Sequence, residues 1–340
     1  MSVNKGQLLT LSGRLTAAIN TLPTLNHREG GVANRRAIIA LAQEILHKAT
    51  LPEEEWLGDV ALLCTMTASR LFLKWGAFDG IPTKGAVAYD SLAEKLKVDA
   101  SLFRRVGAML VASKVLRQLG DDHLAHTPRS LIYANSAPHS FLARMFFDET
   151  LKSCVFMPDY FDKYHEEPNG PVGCPYTFAE GNSDKSVWEI MDDDPERMRV
   201  FMEAMNTVES QMPATGMYDF GWVKGEVAKK TKRMLFVDVG ALIYHLRRCL
   251  HDYGDEIGIN ILRHISGAMA PDSRLLIVEQ VVDVLPSPMD THFDFVMMTI
   301  GGKERNAKQF EKMAKEAGLR ILEIHKKSDT PISVIECAKE

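Results

Sequence analysis

The chain has 340 residues, 46% hydrophobic and 25% charged, with a net charge of −5. That is enough for two soluble globular domains with a full core, and the acidic balance argues against a nucleic-acid partner, which selects for a basic field. Five scattered cysteines, Cys64, Cys154, Cys174, Cys249 and Cys337, form no Cys-x-x-Cys pair, so the chain reads as a cytoplasmic protein with reduced thiols and no metal site. The first six residues lack an apolar signal core, and no run approaches the ~18 residues of a membrane span.

Residues 1 to about 50 place Leu, Ala and Ile at helical spacing, as in Ala37-Ile-Ile-Ala-Leu-Ala-Gln-Glu-Ile-Leu46, and predict a helical arm. Thr50-Leu-Pro-Glu-Glu-Glu55 reads as a helix start, with Thr50 as cap, Pro52 in the first turn and three acids at the positive dipole end. That helix runs to about Trp75, before Gly76. Residues 89–96 predict a short helix capped by Asp90 or Ser91, residues 98–110 a second helix, and residues 114–126 a hairpin around Gly120. Two helices and a hairpin make a winged helix. The second helix offers Arg104 and Arg105 but is otherwise apolar, so a dimerisation role is favoured over reading DNA.

Residues 131–232 read as mostly helical, with a loop at Pro168-Asn-Gly-Pro171 and a helix start at Asp192-Asp-Asp-Pro195. Phe201, Met202, Met205 and Val208 share a helical stripe, which is either a core face or the wall of an apolar pocket. Residues 233–340 are the α/β part. Strands are expected at 234–239, 241–246, 274–282 and 332–337, and helices at 256–269 and 307–317.

Three ordered stretches carry a family resemblance: Leu246-Arg-Arg-Cys-Leu-His-Asp-Tyr-Gly-Asp-Glu256, Ser273-Arg-Leu-Leu-Ile-Val-Glu279 and Gly301-Gly-Lys-Glu-Arg305. With the pocket-helix stretch 186–205, the chain resembles the S-adenosylmethionine-dependent small-molecule O-methyltransferases of the caffeic-acid type, found in plant and fungal natural-product pathways. The resemblance covers nearly the whole chain. It implies an N-terminal all-α and winged-helix dimerisation domain (1–135), then the substrate-pocket helices and a Rossmann-like α/β methyltransferase domain (136–340), in a homodimer. It implies His251 as the general base removing a hydroxyl proton, with Glu279 and Glu304 flanking it. It places Trp188, Phe201, Met205 and Met297 on the wall of a pocket for a small aromatic or polyketide-type natural product. The first cofactor motif falls at Asp238 and Gly240. The chemistry is sensible on its own terms: a phenol must lose its proton before attacking a methyl sulfonium, a histidine takes protons near neutral pH, and a carboxylate orients it. Each residue has a structural alternative: His251 ending a strand, Glu279 pairing with a lysine.

The resemblance also exposes a gap. The family continues its first motif as Val-Asp-Val-Gly-Gly-Gly-x-Gly-His, whose backbone approaches the cofactor as only glycine permits. Here Gly240 is followed at once by Ala241-Leu-Ile-Tyr-His245, which resembles the family's fourth strand. Roughly fifty residues are absent by that comparison, since a βαβ unit alone takes about thirty. The glycine loop, the ribose-binding acid and strands 2 and 3 of the family sheet go with them. Parallel neighbours need a crossover of about a dozen residues, so 234–239 and 241–246 cannot both hold their family places. The expected function is O-methylation. The alternatives are a cofactor-independent pericyclase-like enzyme, an inactive relative on the same scaffold, and a winged-helix DNA-binding protein.

Overall fold

The computed structural model describes residues 4–21, 32–134, 137–212, 216–223, 242–283, 288–327 and 330–340. The chain divides into two compact units, Met1–Leu131 and Ile132–Glu340. The expected strand at 234–239, with Asp238 and Gly240, lies outside the described residues.

The first unit opens with α1 (Lys5–Asn20) and α2 (Val32–Ala49), followed by α3 (Pro52–Trp75) and α4 (Ala77–Gly80). Thr50 does not cap α3: its hydroxyl turns back to the Leu46 carbonyl at 2.7 Å. The extended residue before the helix is Leu51, and the Glu54 carboxylate accepts its N–H at 2.9 Å. A glutamate three residues on thus replaces the expected hydroxyl cap, and its charge also suits the helix dipole. The helix stops at Gly76, whose φ of 69° any side chain would strain.

Helix α5 (Tyr89–Leu96) starts from an extended Ala88, without the expected Asp90 or Ser91 cap. Asp90 instead accepts from Arg104 on α6 (Ala100–Ala112) at 3.0 Å. Arg104 also stacks over the Tyr89 ring, so it is engaged within its own unit. The short strand β1 (Val87–Ala88) and the hairpin β2 (Leu116–Leu119) and β3 (His123–His126) make an antiparallel sheet in the order β1-β3-β2. Stacked Phe72 and Phe103, with centroids 4.9 Å apart, lock α3 to α6. The N-terminal part of α3 leaves Trp56, Leu57, Leu62 and Leu63 exposed. One expectation is corrected here: by length and composition, α3 is long and apolar enough to cross a membrane.

The second unit begins with one helical run: α7 (Pro138–Met145), a π-helical segment (Phe146–Leu151) and α8 (Lys152–Tyr164). Short α9 (Pro175–Ala179) and α10 (Val187–Asp192) precede α11 (Pro195–Gln211). Asp194 starts α11 by accepting the N–H groups of Glu196 and Arg197, as the acidic run before Pro195 predicts. The sheet follows: β4 (Ile243–Arg247), β5 (Arg274–Val282), β6 (Arg305–Asn306), β7 (Leu319–Lys326) and β8 (Ile332–Lys339). Its path is β4-β5-β8-β7; β4 runs parallel to β5, and β8 is antiparallel to both its neighbours. Strand β6 adds a short parallel pairing to the end of β5.

The sequence reading missed β7, because its outward residues include Arg320, Glu323 and Lys326, which break any apolar run on an edge strand. The central strand β5 is apolar along most of its length because both faces are covered. On one face Leu275, Ile277 and Val281 pack with α12 (Asp255–Ala268) and α14 (Ala307–Glu316) through Leu262, Phe310 and Met313. On the other, Leu276 and Val278 meet Tyr218 and Val223. Helix α13 (Pro288–Thr299) connects β5 to the turn before β6.

Candidate active site

The C-terminal ends of parallel β4 and β5 bring the candidate residues together. After β4 the chain turns through a 3-10 helix, Leu250–Asp252, which carries His251. Glu279, near the end of β5, fixes that turn: its Oε1 accepts the N–H groups of Cys249 and Leu250 at 2.8 and 2.9 Å. Its Oε2 lies 3.5 Å from His251 Nδ1, and Glu304 Oε1 lies 3.4 Å from the same nitrogen. On the other side of the ring, Nε2 is 3.4 Å from Asp252 Oδ1. The His251, Glu279 and Glu304 side chains are only 7%, 1% and 3% exposed. These are ion-pair distances without an aligned hydrogen bond, since Nδ1, Glu279 Oε2 and Glu304 Oε2 have no hydrogen-bond partner.

Electrostatics follow from this crowding. Burial opposes a charge on His251, but Glu304, Glu279 and Asp252 outweigh it and raise its pKa above the ordinary 6.5. Burial raises the Glu279 carboxyl, which His251 and the backbone N–H donors offset only in part. Burial likewise raises Asp252.

Two further devices hold the histidine. At Gly302 a Cβ would run into the His251 carbonyl oxygen, so only glycine lets the turn after α13 press on the His251 turn. Lys303 then donates its N–H to that same carbonyl at 2.8 Å, which delivers Glu304 to the ring. Arg305, with its side chain fully buried, donates to the Leu250 and Tyr253 carbonyls at 2.8 and 2.7 Å and to Asp255 at 2.9 Å. It clips both sides of the His251 turn. Arg305 ended one of the stretches that carry the resemblance, but nothing in its spacing gave it a role.

His251 and Asp252 open on a cavity of about 340 Å³. Trp188, Phe201, Met205 and Met297, the four expected wall residues, all line it, together with Val208 and Phe146. The helical stripe of α11 is therefore a pocket wall at Phe201, Met205 and Val208, while Met202 faces out, 54% exposed. Trp188 and Phe201 meet edge-on at 5.5 Å. The π-helical segment turns Phe146, Glu149 and Thr150 into the cavity, a local widening of the helix of the kind found at functional sites. Glu149 is satisfied there by Arg197, through Nε at 2.7 and 2.8 Å, and by the Tyr176 hydroxyl at 2.9 Å. Burial first, and the Glu149 charge second, push the Tyr176 phenol well above its usual range. Sequence reasoning missed this network, and also Arg247, Arg248 and Asp252 in the cavity wall, because their partners lie far away in the chain.

No residue assigned to the cofactor falls among those described. Beside β4 the described sheet has β5 on one side and no described strand on the other.

The α/β sheet thus presents a buried, carboxylate-flanked histidine to an apolar cavity, the arrangement of a candidate active site. The O-methyltransferase domain family model matches residues 234–320. The chain is 31% identical to methyltransferase cfoD of Aspergillus candidus, in an alignment of 402 residues covering 98% of this chain and 99% of that one. It is 30% identical to methyltransferase pvhD of Talaromyces variabilis, over 78% of this chain and 91% of that one. The chain belongs to the O-methyltransferase family. Among solved structures, OxaC in complex with sinefungin and meleagrin shares the fold at a TM-score of 0.84 and 16% identity, over 99% of this chain and all of that one. LepI in complex with SAM does so at 0.76 and 15%, over 98% of this chain and all of that one.

Proposed function

We propose that this chain carries the methyl-acceptor half of an O-methyltransferase, built to bind a small, mostly apolar natural product and to take the proton from its hydroxyl with His251. The observation that carries the reading is the placement of His251 between the cavity and two buried glutamates. With Nδ1 enclosed by Glu279 and Glu304, Nε2 beside Asp252 is the nitrogen on the cavity side. A hydroxyl proton passes to Nε2, and the glutamates stabilise the imidazolium. The apolar wall excludes water and orients the ring that bears the hydroxyl. The first unit reads as a winged-helix dimerisation module, with exposed Trp56, Leu57, Leu62 and Leu63 on α3 covered by a second copy.

The cofactor half is curtailed in this reading. The sequence passes from Gly240 directly into the β4 stretch, and the alignment to the Aspergillus candidus relative is longer than this chain. Without the glycine turn and the ribose acid, several charge-assisted hydrogen bonds of roughly 1.5–3 kcal/mol each are lost, and affinity for S-adenosylmethionine falls by orders of magnitude. No step is therefore routed through the sulfonium. A second reading, ring-closing chemistry without methyl transfer, is favoured by the intact cavity with Arg248, His251 and Asp252 in its wall.

Calorimetry tests the proposal. The 340-residue chain is expected to bind S-adenosylmethionine very weakly or not at all, and a form with the family segment inserted after Gly240 to bind it and to methylate. Micromolar binding by the short form refutes the reading of the gap. An inserted form that binds the cofactor but methylates as well with His251→Gln refutes the base.

A further inference from the structure

The polar groups in the cavity wall are not equally occupied. Glu149 is neutralised by Arg197, Thr299 donates to the Val296 carbonyl, and Arg247 donates to the Met212 carbonyl at 3.1 Å. Arg248 differs. Among the described residues its guanidinium has no carboxylate within ion-pair distance: the Asp252 carboxylate feels its charge only from further off, and its one hydrogen-bond contact is from Nη1 to the Met212 thioether at 3.5 Å. A thioether is a weak acceptor. The Arg248 backbone is also displaced from the ordinary. Its φ is +47°, a region that bulky residues enter at a cost. Its N–H is nevertheless held to the Val278 carbonyl at 3.0 Å, one residue past the paired end of β4. The chain thus turns out of the sheet at a strained arginine that reaches the cavity next to His251 and Asp252.

An arginine in an apolar cavity with no carboxylate bound to its fork is half of a charge-assisted pair. We propose that Arg248 is the anchor for an oxyanion on the bound small molecule, so that the pocket selects apolar, aromatic or polyketide-type molecules bearing an ionised acid group near the reacting hydroxyl. The inference rests on the reading of this cavity as the acceptor pocket. It adds a specificity-determining residue and a substrate class. The anion meets the fork of Arg248 while the hydroxyl faces His251 and Asp252, and the apolar body lies on Trp188, Phe201 and Met297. Asp252 disfavours an anion at the histidine end, so the two ends of the site fix the orientation of such a molecule.

The test is calorimetric binding of two probes of one shape to the full chain: 1-hydroxy-2-naphthoate, which carries the anion, and 1-naphthol, which lacks it. The wild type is expected to bind the naphthoate at least tenfold more tightly. In Arg248→Met and Arg248→Gln that preference falls below twofold while naphthol binding stays as it was, and Arg248→Lys recovers part of it. Equal affinity of the wild type for the two probes overturns the anchor and leaves the pocket reading standing. A preference that survives in Arg248→Met and Arg248→Gln also overturns it. Failure of both probes to bind overturns the anchor and the pocket reading together.

Discussion

Replacing Arg305 with methionine separates the scaffold of the His251 turn from its chemistry. The guanidinium is wholly buried and makes four hydrogen bonds, two short ones to the Leu250 and Tyr253 carbonyls that bracket His251, a long one to the Lys303 carbonyl and one to Asp255. Methionine fills most of the apolar stem, so the loss is polar. Two carbonyls forfeit a charged donor at roughly 1.5–3 kcal/mol each. The bond to Asp255 is discounted because that carboxylate is 40% exposed and water replaces the arginine there, and the 3.4 Å contact to Lys303 is too long to count. The expected loss is about 3–6 kcal/mol, measured as a fall in the urea midpoint at unchanged slope. Arg305→Lys recovers only part, because an ammonium cannot present the planar fork that meets acceptors on two sides. The His251 imidazole, followed by NMR, titrates closer to 6.5 in Arg305→Met, since the turn no longer holds it against the glutamates. A stability loss below about 1 kcal/mol with an unaltered His251 titration would refute the clip, because losing charged donors to two buried carbonyls costs more than that.

Other outcomes are expected. His251 titrates above 6.5 in the wild type and lower in Glu279→Gln, read by imidazole NMR. A raised folded-state pKa stabilises below the unfolded value and loses that stabilisation as pH rises through the folded one. The raised Glu279 carboxyl acts with the same sign from the ordinary carboxylate range upward, so stability should fall as pH rises across these titrations, and less steeply in His251→Asn. Gly302→Ala, which drives a Cβ into the His251 carbonyl, should cost about 1–3 kcal/mol in chemical denaturation. Gly58→Ala on α3, which meets nothing within 4 Å, should gain about 0.5–1 kcal/mol. Sedimentation should show a dimer that Trp56→Glu with Leu63→Glu converts to monomer; a wild-type monomer at every concentration would refute the dimer reading.

Local sequence determined those parts of the protein whose information is local. The continuous apolar run of β5, the acidic start of α11 and the glycine that ends α3 are legible because propensity, capping and burial act within a few residues. The helices expected after Thr50 and at Asp90 form, but neither side chain caps its helix, since each has a better partner, the Leu46 carbonyl in one case and Arg104 in the other. The edge strand β7 was illegible because a solvent-facing strand needs no apolar pattern. His251, Glu279 and Glu304 could be named from ordered motifs, but their convergence on one imidazole is tertiary. It depends on parallel pairing of β4 with β5 and on a Gly302 turn that only close backbone approach explains. Whether the α11 stripe is core or pocket wall could not be read from its period, because both demand the same spacing. The π-helical segment and the cavity it borders decide it. The unanswered charge of Arg248 is likewise invisible in sequence, where an arginine beside an arginine looks like solvated surface. Only the fold turns it inward and keeps every described carboxylate beyond ion-pair distance of it, Asp252 included.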